Sequence, residues 1–205
     1  MNRIIAPAAA VVAALFVGGV WWMSRDSGET GIAQCSAAKV ADDGVKIGGP
    51  FELVNSDGQT VTDAEVITEP TLVYFGYTFC PDVCPLDTAR NAEAVDILAE
   101  RGLSVTPVFI SIDPNRDTPE IVGDFAYNLH EKMIGLTGSP EQVDAASKAY
   151  RTYYKSHDTS DEFYLVDHST FTYLMLPETG FVEFFRRDTS AEAMADRVQC
   201  FVENS

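Results

Sequence analysis

Cys80 and Cys84 stand four positions apart in the stretch YFGYTFCPDVCP, Tyr74 to Pro85, each followed by a proline. Thiolates serve as nucleophiles and as soft metal ligands. Three chemistries are therefore open to the pair: a disulfide switch, a metal site, or structural thiols. The usual thiol-oxidoreductase spacing leaves two residues between the cysteines, whereas Pro81, Asp82 and Val83 intervene here. In a helical turn, positions i and i+4 face the same way. The pair can thus close a disulfide, or stay reduced and grip one ion. Unsatisfied amide N–H groups and the positive end of a helix dipole near the sulfurs would lower the pKa of the more exposed cysteine.

Two thiolates are an incomplete set for Cu(I) or Zn(II), so a third ligand is required. The chain has three histidines. His130 ends a helical segment beside Glu131 and Lys132 and reads as solvated. His157, in the polar stretch KSHDTSDE, reads as exposed. His168, in YLVDHST, follows an apolar strand, where a loop-borne imidazole can reach across the sheet end to the cysteines.

The elements that must position these groups follow from periodicity and punctuation. FELVNSDGQTVT predicts a hairpin turning at Asp57-Gly58. TLVYFGY (71–77) reads as a strand buried on both faces. Apolar residues at 86, 89, 94, 95, 97 and 98 predict a helix over Leu86–Arg101, stopped by Gly102. A second buried strand follows at Ser104–Asp113. Thr118-Pro119 and Ser139-Pro140 open helices reaching about Leu129 and Tyr150. Phe163–Val166 and Phe171–Leu176 read as strands, PETG turns the chain into FVEFFRR, and an amphipathic helix spans Ser190 to Val202. Strands alternating with helices imply an α/β fold with a mixed sheet covered on both faces. A strand feeding a helix across a cysteine pair, closed by a terminal hairpin and helix, is the thioredoxin-like pattern, here with an added N-terminal β-hairpin. Residue chemistry by itself stops at a thioredoxin-like domain with a reactive or metal-binding dithiol.

Ahead of this domain, Ile4 to Met23 is a run of 20 residues without a charge, between Arg3 and Arg25. That length spans a hydrocarbon core of about 30 Å as a helix. Its end in Trp21, Trp22 and Met23 suits an interfacial anchor better than a cleavage site. The expected organisation is a cytoplasmic 1–3, a transmembrane signal-anchor at 4–23, a tether at 24–47 and a folded domain at 48–205. Residues 26–205 carry 12 Lys+Arg, Arg3 and Arg25 lying outside, against all 31 Asp+Glu, a net of −19. Such a domain repels nucleic acid and anionic lipid, which excludes a nucleic-acid role. Four cysteines, all beyond the anchor, fit an oxidising compartment such as a periplasm.

GYTFCPDVCP, SIDPNRDTP (111–119), GLTGS (135–139) and VDHS (166–169), in this order and spacing, resemble the Sco/SenC family from about Gly49 to the end of the chain. The resemblance implies a single-pass, inner-membrane, thioredoxin-like copper protein facing the periplasm. It implies that Cys80, Cys84 and His168 bind copper, as Cu(I) or Cu(II), for the copper-bearing subunit of cytochrome c oxidase, with another copper carrier as donor. Asp82 is a candidate auxiliary ligand, against a plain turn-forming role. Asp113 and Asp117 fall on family positions but read as turn and cap residues, with Arg116 pairing Asp117. Cys35 and Cys200 lie outside the family motifs; a disulfide between them would tie the tether to the domain. The expected activity is carriage rather than catalysis. The alternative is a thiol-disulfide oxidoreductase using Cys80 and Cys84 to keep the oxidase cysteines reduced, or a redox sensor.

Overall fold

Residues 31–36, 46–157, 160, 161 and 163–205 are described by the computed structural model; the expected anchor at 4–23 lies outside them. Among the described residues no helix is long and apolar enough to cross a membrane. After a short 3-10 turn at Gly31–Gln34, the chain forms the hairpin of β1 (Glu52–Asn55) and β2 (Thr60–Thr62). Gly58 supplies the positive φ of the turn, and the Asn55 side-chain oxygen accepts from the amides of Asp57 and Gln59. A single helical turn, α1 (Asp63–Val66), leads to β3 (Thr71–Gly76).

β3 feeds α2 (Val83–Glu100), followed by β4 (Thr106–Ser111), α3 (Pro119–Leu129), β5 (Ile134–Thr137) and α4 (Pro140–Ala149). Thr118 and Ser139 accept from the amides of Ile121 and Gln142, so both Thr/Ser-Pro starts act as the caps their composition predicts. A separate two-stranded ribbon, β6 (Tyr154–Ser156) and β7 (Val166–His168), precedes β8 (Thr172–Leu176), β9 (Gly180–Phe185) and α5 (Ala191–Asn204). The main sheet has the order β2-β1-β5-β4-β3-β8-β9. β3 is parallel to β4 and antiparallel to β8, which makes this a mixed α/β sheet of the thioredoxin-like kind.

Every residue of β3 is buried, and the strand's alternation decides which face each one serves. Leu72 opposes Leu174 of β8, and both pack with Ala94, Leu98, Val198 and Phe201 of α2 and α5. Val73 and Phe75 look the other way, where Phe75 and Tyr173 meet Tyr150 beyond α4 at ring-centroid distances of 5.2 and 5.5 Å. α3 lies beside α2, with Phe125 on Phe109 of β4. This central strand therefore arrives at the cysteines as a rigid, doubly covered rail.

Two expectations are corrected. Helix α2 starts at Val83, earlier than Leu86: Pro85 is its third residue, where the missing N–H would have had no helical partner. Phe163–Val166 is not a strand, since Phe163 and Leu165 are 73% and 49% exposed; only Val166–His168 pairs, and with β6 rather than the main sheet. Part of the stretch expected as tether packs on the domain. Cys35 and Cys200 form a disulfide, Ser36 Oγ donates to Glu183, and Gln34 donates to Asn204. The buried Glu183 also faces Arg197 at 3.6 Å.

The bridge closes a sequence separation of 165 residues, worth on the order of 5 kcal/mol in the chain-entropy model. The double variant Cys35→Ser/Cys200→Ser is expected to keep its far-UV circular dichroism and to lose about 2–5 kcal/mol of stability in urea unfolding. An unchanged urea midpoint would show that the bridge constrains little beyond the local contacts of residues 31–36.

Candidate metal centre

At the end of β3 the strand's last residue makes room for sulfur. A Cβ on Gly76 would lie 3.0 Å from Cys84 Sγ and 2.9 Å from the Phe109 ring, so the position has no space for a side chain. The chain then turns through Tyr77–Pro81 into α2. The cap position, Asp82, makes no side-chain cap hydrogen bond. The first-turn amides are satisfied by sulfur instead: Cys84 N donates to Cys80 Sγ at 3.3 Å, and the Asp82 amide also points at that sulfur.

Cys84 is fully buried and Cys80 is 8% exposed; neither is in a disulfide. Hydrogen bonding from the Cys84 thiol is the largest influence on Cys80. Together with the helix-start amides it outweighs burial and holds the Cys80 thiol well below the ordinary cysteine range. The same shared proton, then burial, pushes Cys84 upward. Both influences favour charge on Cys80 and keep the proton on Cys84.

The imidazole arrives from the ribbon. His168 is the last residue of β7, not a loop residue, and its Nε2 lies 3.3 Å from Cys84 Sγ. Nδ1 sits 2.8 Å from the Ser169 carbonyl, which can accept only if Nδ1 carries the proton; Nε2 then presents its lone pair to the sulfurs. The ring stands edge-on to Tyr74 and Tyr77, at centroid distances of 6.2 and 5.9 Å. The ligand atoms of Cys80, Cys84 and His168 all lie within 4.8 Å of one another, close enough to touch one ion. Two sulfurs and one imidazole nitrogen form a soft donor set suited to Cu(I).

The remaining candidates fall elsewhere. Asp82 is exposed at the helix start, and its carboxylate is not part of the three-residue cluster. His157 is exposed and pairs with Asp167 at 3.0 Å. His130, expected to be solvated, is partly covered and lies 3.2 Å from Asp96. Arg116 pairs with Asp113, not Asp117: its Nε donates to Asp113 Oδ2 at 2.5 Å. Asp117 is a buried tie rather than a cap. Its carboxylate accepts from Thr78 N at 3.0 Å, Thr78 Oγ1 at 2.5 Å and Ser111 Oγ at 2.6 Å, which fastens the cysteine loop to the end of β4. Burial raises its pKa against those hydrogen bonds.

Sequence reasoning missed Asp87, a buried carboxylate one turn beyond Cys84. It takes the Tyr74 hydroxyl at 3.1 Å and Arg90 at 3.2 Å. Burial is the main cause of its raised pKa. Its available signal was an acid three residues after Cys84 and three before an arginine, a spacing shared with ordinary surface pairs.

The chain matches the family model described as SCO1/SenC over residues 39–203. It is 60% identical over 158 residues to the protein SenC of Rhodobacter capsulatus, covering 77% of this chain and 72% of that protein. It is 44% identical to the mitochondrial SCO1 homolog 1 of Arabidopsis thaliana, over 80% of this chain but 48% of the relative's length. Among solved structures, Arabidopsis thaliana ScoI with copper bound superposes with a TM-score of 0.73 at 42% identity, covering 78% of this chain and 99% of that one. The motif order read from the residues, the fold and these matches agree, and the chain belongs to the SCO1/SenC family.

Proposed function

We propose that this protein is a copper carrier, which holds one copper ion through Cys80, Cys84 and His168 and passes it to the copper-bearing subunit of cytochrome c oxidase. The observation that carries the reading is the convergence of two sulfurs and an imidazole from separate elements to within 4.8 Å. The copper-bound ScoI relative supports it. Copper here is cargo. Ligands from two separate elements, a helix start and a ribbon end, can be surrendered one at a time to an incoming set of ligands, beginning with the partly exposed His168. Another copper carrier would load the site. In the same reading residues 4–23 anchor the domain in the inner membrane and residues 26–205 face the periplasm, where four cysteines and an acidic surface are at home.

Both sulfurs must be reduced to load, so the redox state of the pair gates binding. One observation favours a second reading, a thiol-disulfide reductase: a thiolate with lowered pKa beside a thiol is poised for exchange chemistry. His168 separates the two, being a ligand in the first and dispensable in the second.

Titration of Cu(I) into the reduced 205-residue chain against a competing chelator is expected to give one-to-one binding. His168→Ala is expected to weaken it by more than about 100-fold, beyond the loss typical of a residue that only supports a ligand. Equal affinity in variant and parent would remove His168 from the site and favour the reductase reading. The resting protonation state gives an independent check. With Cys80 already a thiolate, loading at pH 7–8 displaces the Cys84 proton alone. Affinity should then rise about tenfold per pH unit, with about one proton released per ion. Release of two protons would mean that both sulfurs rest as ordinary thiols.

A further inference from the structure

His168 rides on a ribbon of two three-residue strands that belongs to no larger sheet. A two-stranded hairpin is marginal by itself, so the position of the imidazole over the sulfurs depends on what pins the ribbon. One pin is Tyr164, two residues before β7 and 8% exposed, whose hydroxyl donates to Asp113 Oδ1 at 2.5 Å. Asp113 in turn holds Arg116, whose guanidinium carbon lies 3.6 Å from the centroid of the Tyr164 ring. Among the described residues, two more rings approach that guanidinium from the cysteine side, Phe79 at 4.8 Å and Tyr77 at 5.8 Å, both in the loop that presents Cys80. One planar cation is therefore packed between the half of the site that supplies sulfur and the half that supplies nitrogen.

We propose that Arg116, oriented by Asp113, is a positioning residue that sets the distance between His168 and the cysteine pair, so that three donors converge before an ion arrives. The proposal rests on the copper reading and deepens it. Arg116 touches no ligand atom; it acts through Tyr164 on the ribbon and through Phe79 and Tyr77 on the loop. Asp117 has a narrower role, because its side chain ties Thr78 and Ser111 on the cysteine side only. A guanidinium is suited to the task because its plane stacks on rings while its edge donates to a carboxylate, which an ammonium group does not reproduce.

The test is a cycle of Cu(I) affinities in the reduced 205-residue chain, measured against a chelator, for the parent, Arg116→Ala, Arg116→Lys, His168→Ala and the double variant Arg116→Ala/His168→Ala. Arg116→Ala is expected to weaken binding about 10–100-fold, as loss of a support behind a ligand does. Arg116→Lys should recover only part of that, and far-UV circular dichroism should not change. In the His168→Ala background the same substitution should cost less than about threefold, because the ligand it positions is already gone. A merely structural role would weaken binding equally in both backgrounds, which overturns the proposal, as does a single variant that binds like the parent. Should Arg116→Ala fail to fold, Tyr164→Phe removes only the hydroxyl held by Asp113. It should weaken binding in the same direction by about threefold or more with His168 present, and an unchanged affinity overturns the proposal. A parent that binds no copper overturns the function reading and this proposal together. A parent that binds while Arg116→Ala is unaltered overturns this proposal alone.

Discussion

The first turn of α2 has no side-chain cap, and the site is organised around that vacancy in its bonding. Helix starts leave amide donors that need an acceptor, and Asp82 does not turn its carboxylate back to supply one. Cys80 Sγ takes the place of the oxygen. A thiolate is a far better acceptor than a thiol, so the helix start and the buried proton donor at Cys84 together favour charge on Cys80. The sequence position of the second cysteine follows from the same arrangement. Within the first turn, its amide can bind Cys80 while its sulfur drops into the space that Gly76 leaves open.

Charge on a nearly buried sulfur is costly unless its surroundings are held in place, and Asp87, Asp113 and Asp117 hold them there, while Glu183 does the same beside the Cys35–Cys200 bridge. Asp87, Asp113, Asp117 and Glu183 are all buried. Each has partners: Arg90 and Tyr74 for Asp87, Arg116 and Tyr164 for Asp113, Thr78 and Ser111 for Asp117, Arg197 and Ser36 for Glu183. Removing one partner from such a pair costs more than the pair contributes, because the survivor stays buried. Three of the chain's nine arginines, Arg90, Arg116 and Arg197, thus face interior carboxylates.

The two cysteine pairs are kept apart by the same helix. Cys80 and Cys84 lie at the N-terminal end of α2. Its C-terminal end meets α5 through Arg101, which reaches Asp196 at 2.8 Å and Gln199 at 3.0 Å, next to Cys200. Eighteen residues of helix span about 27 Å. Cys35–Cys200 therefore stays closed as a staple while the other pair is free for ligation or exchange, and reshuffling between them would require unfolding. The bridge also brings the stretch before the domain to the sheet end away from the site.

Much of the fold was legible because its signals are local. The nearly all-apolar strand 71–76, the Asp-Gly turn, the Thr-Pro and Ser-Pro helix starts and the terminal helix each depend on a handful of neighbouring residues, and the structure places them where the pattern did. The reading failed where local pattern competes with long-range pairing. Phe163 and Leu165 have the composition of a strand but face outward, and Val166–His168 found a partner in β6 that no periodicity announces. The site divides the same way. Thiol chemistry at Cys80 and Cys84 was implied by two residue types and a strand-to-helix turn. Asp87 and the role of Asp117 were invisible, and Arg116 was assigned to the wrong acid, because an i,i+3 partner and an adjacent one look alike in a string of letters. By itself the sequence determined the residue types, the apolar rail and the helix starts, since each is decided within a few bonds along the chain. Only tertiary structure decided that an imidazole 84 residues beyond Cys84 would sit 3.3 Å from its sulfur, and which of two thiols would carry the charge. Both depend on distances and desolvation that exist only once the sheet has closed.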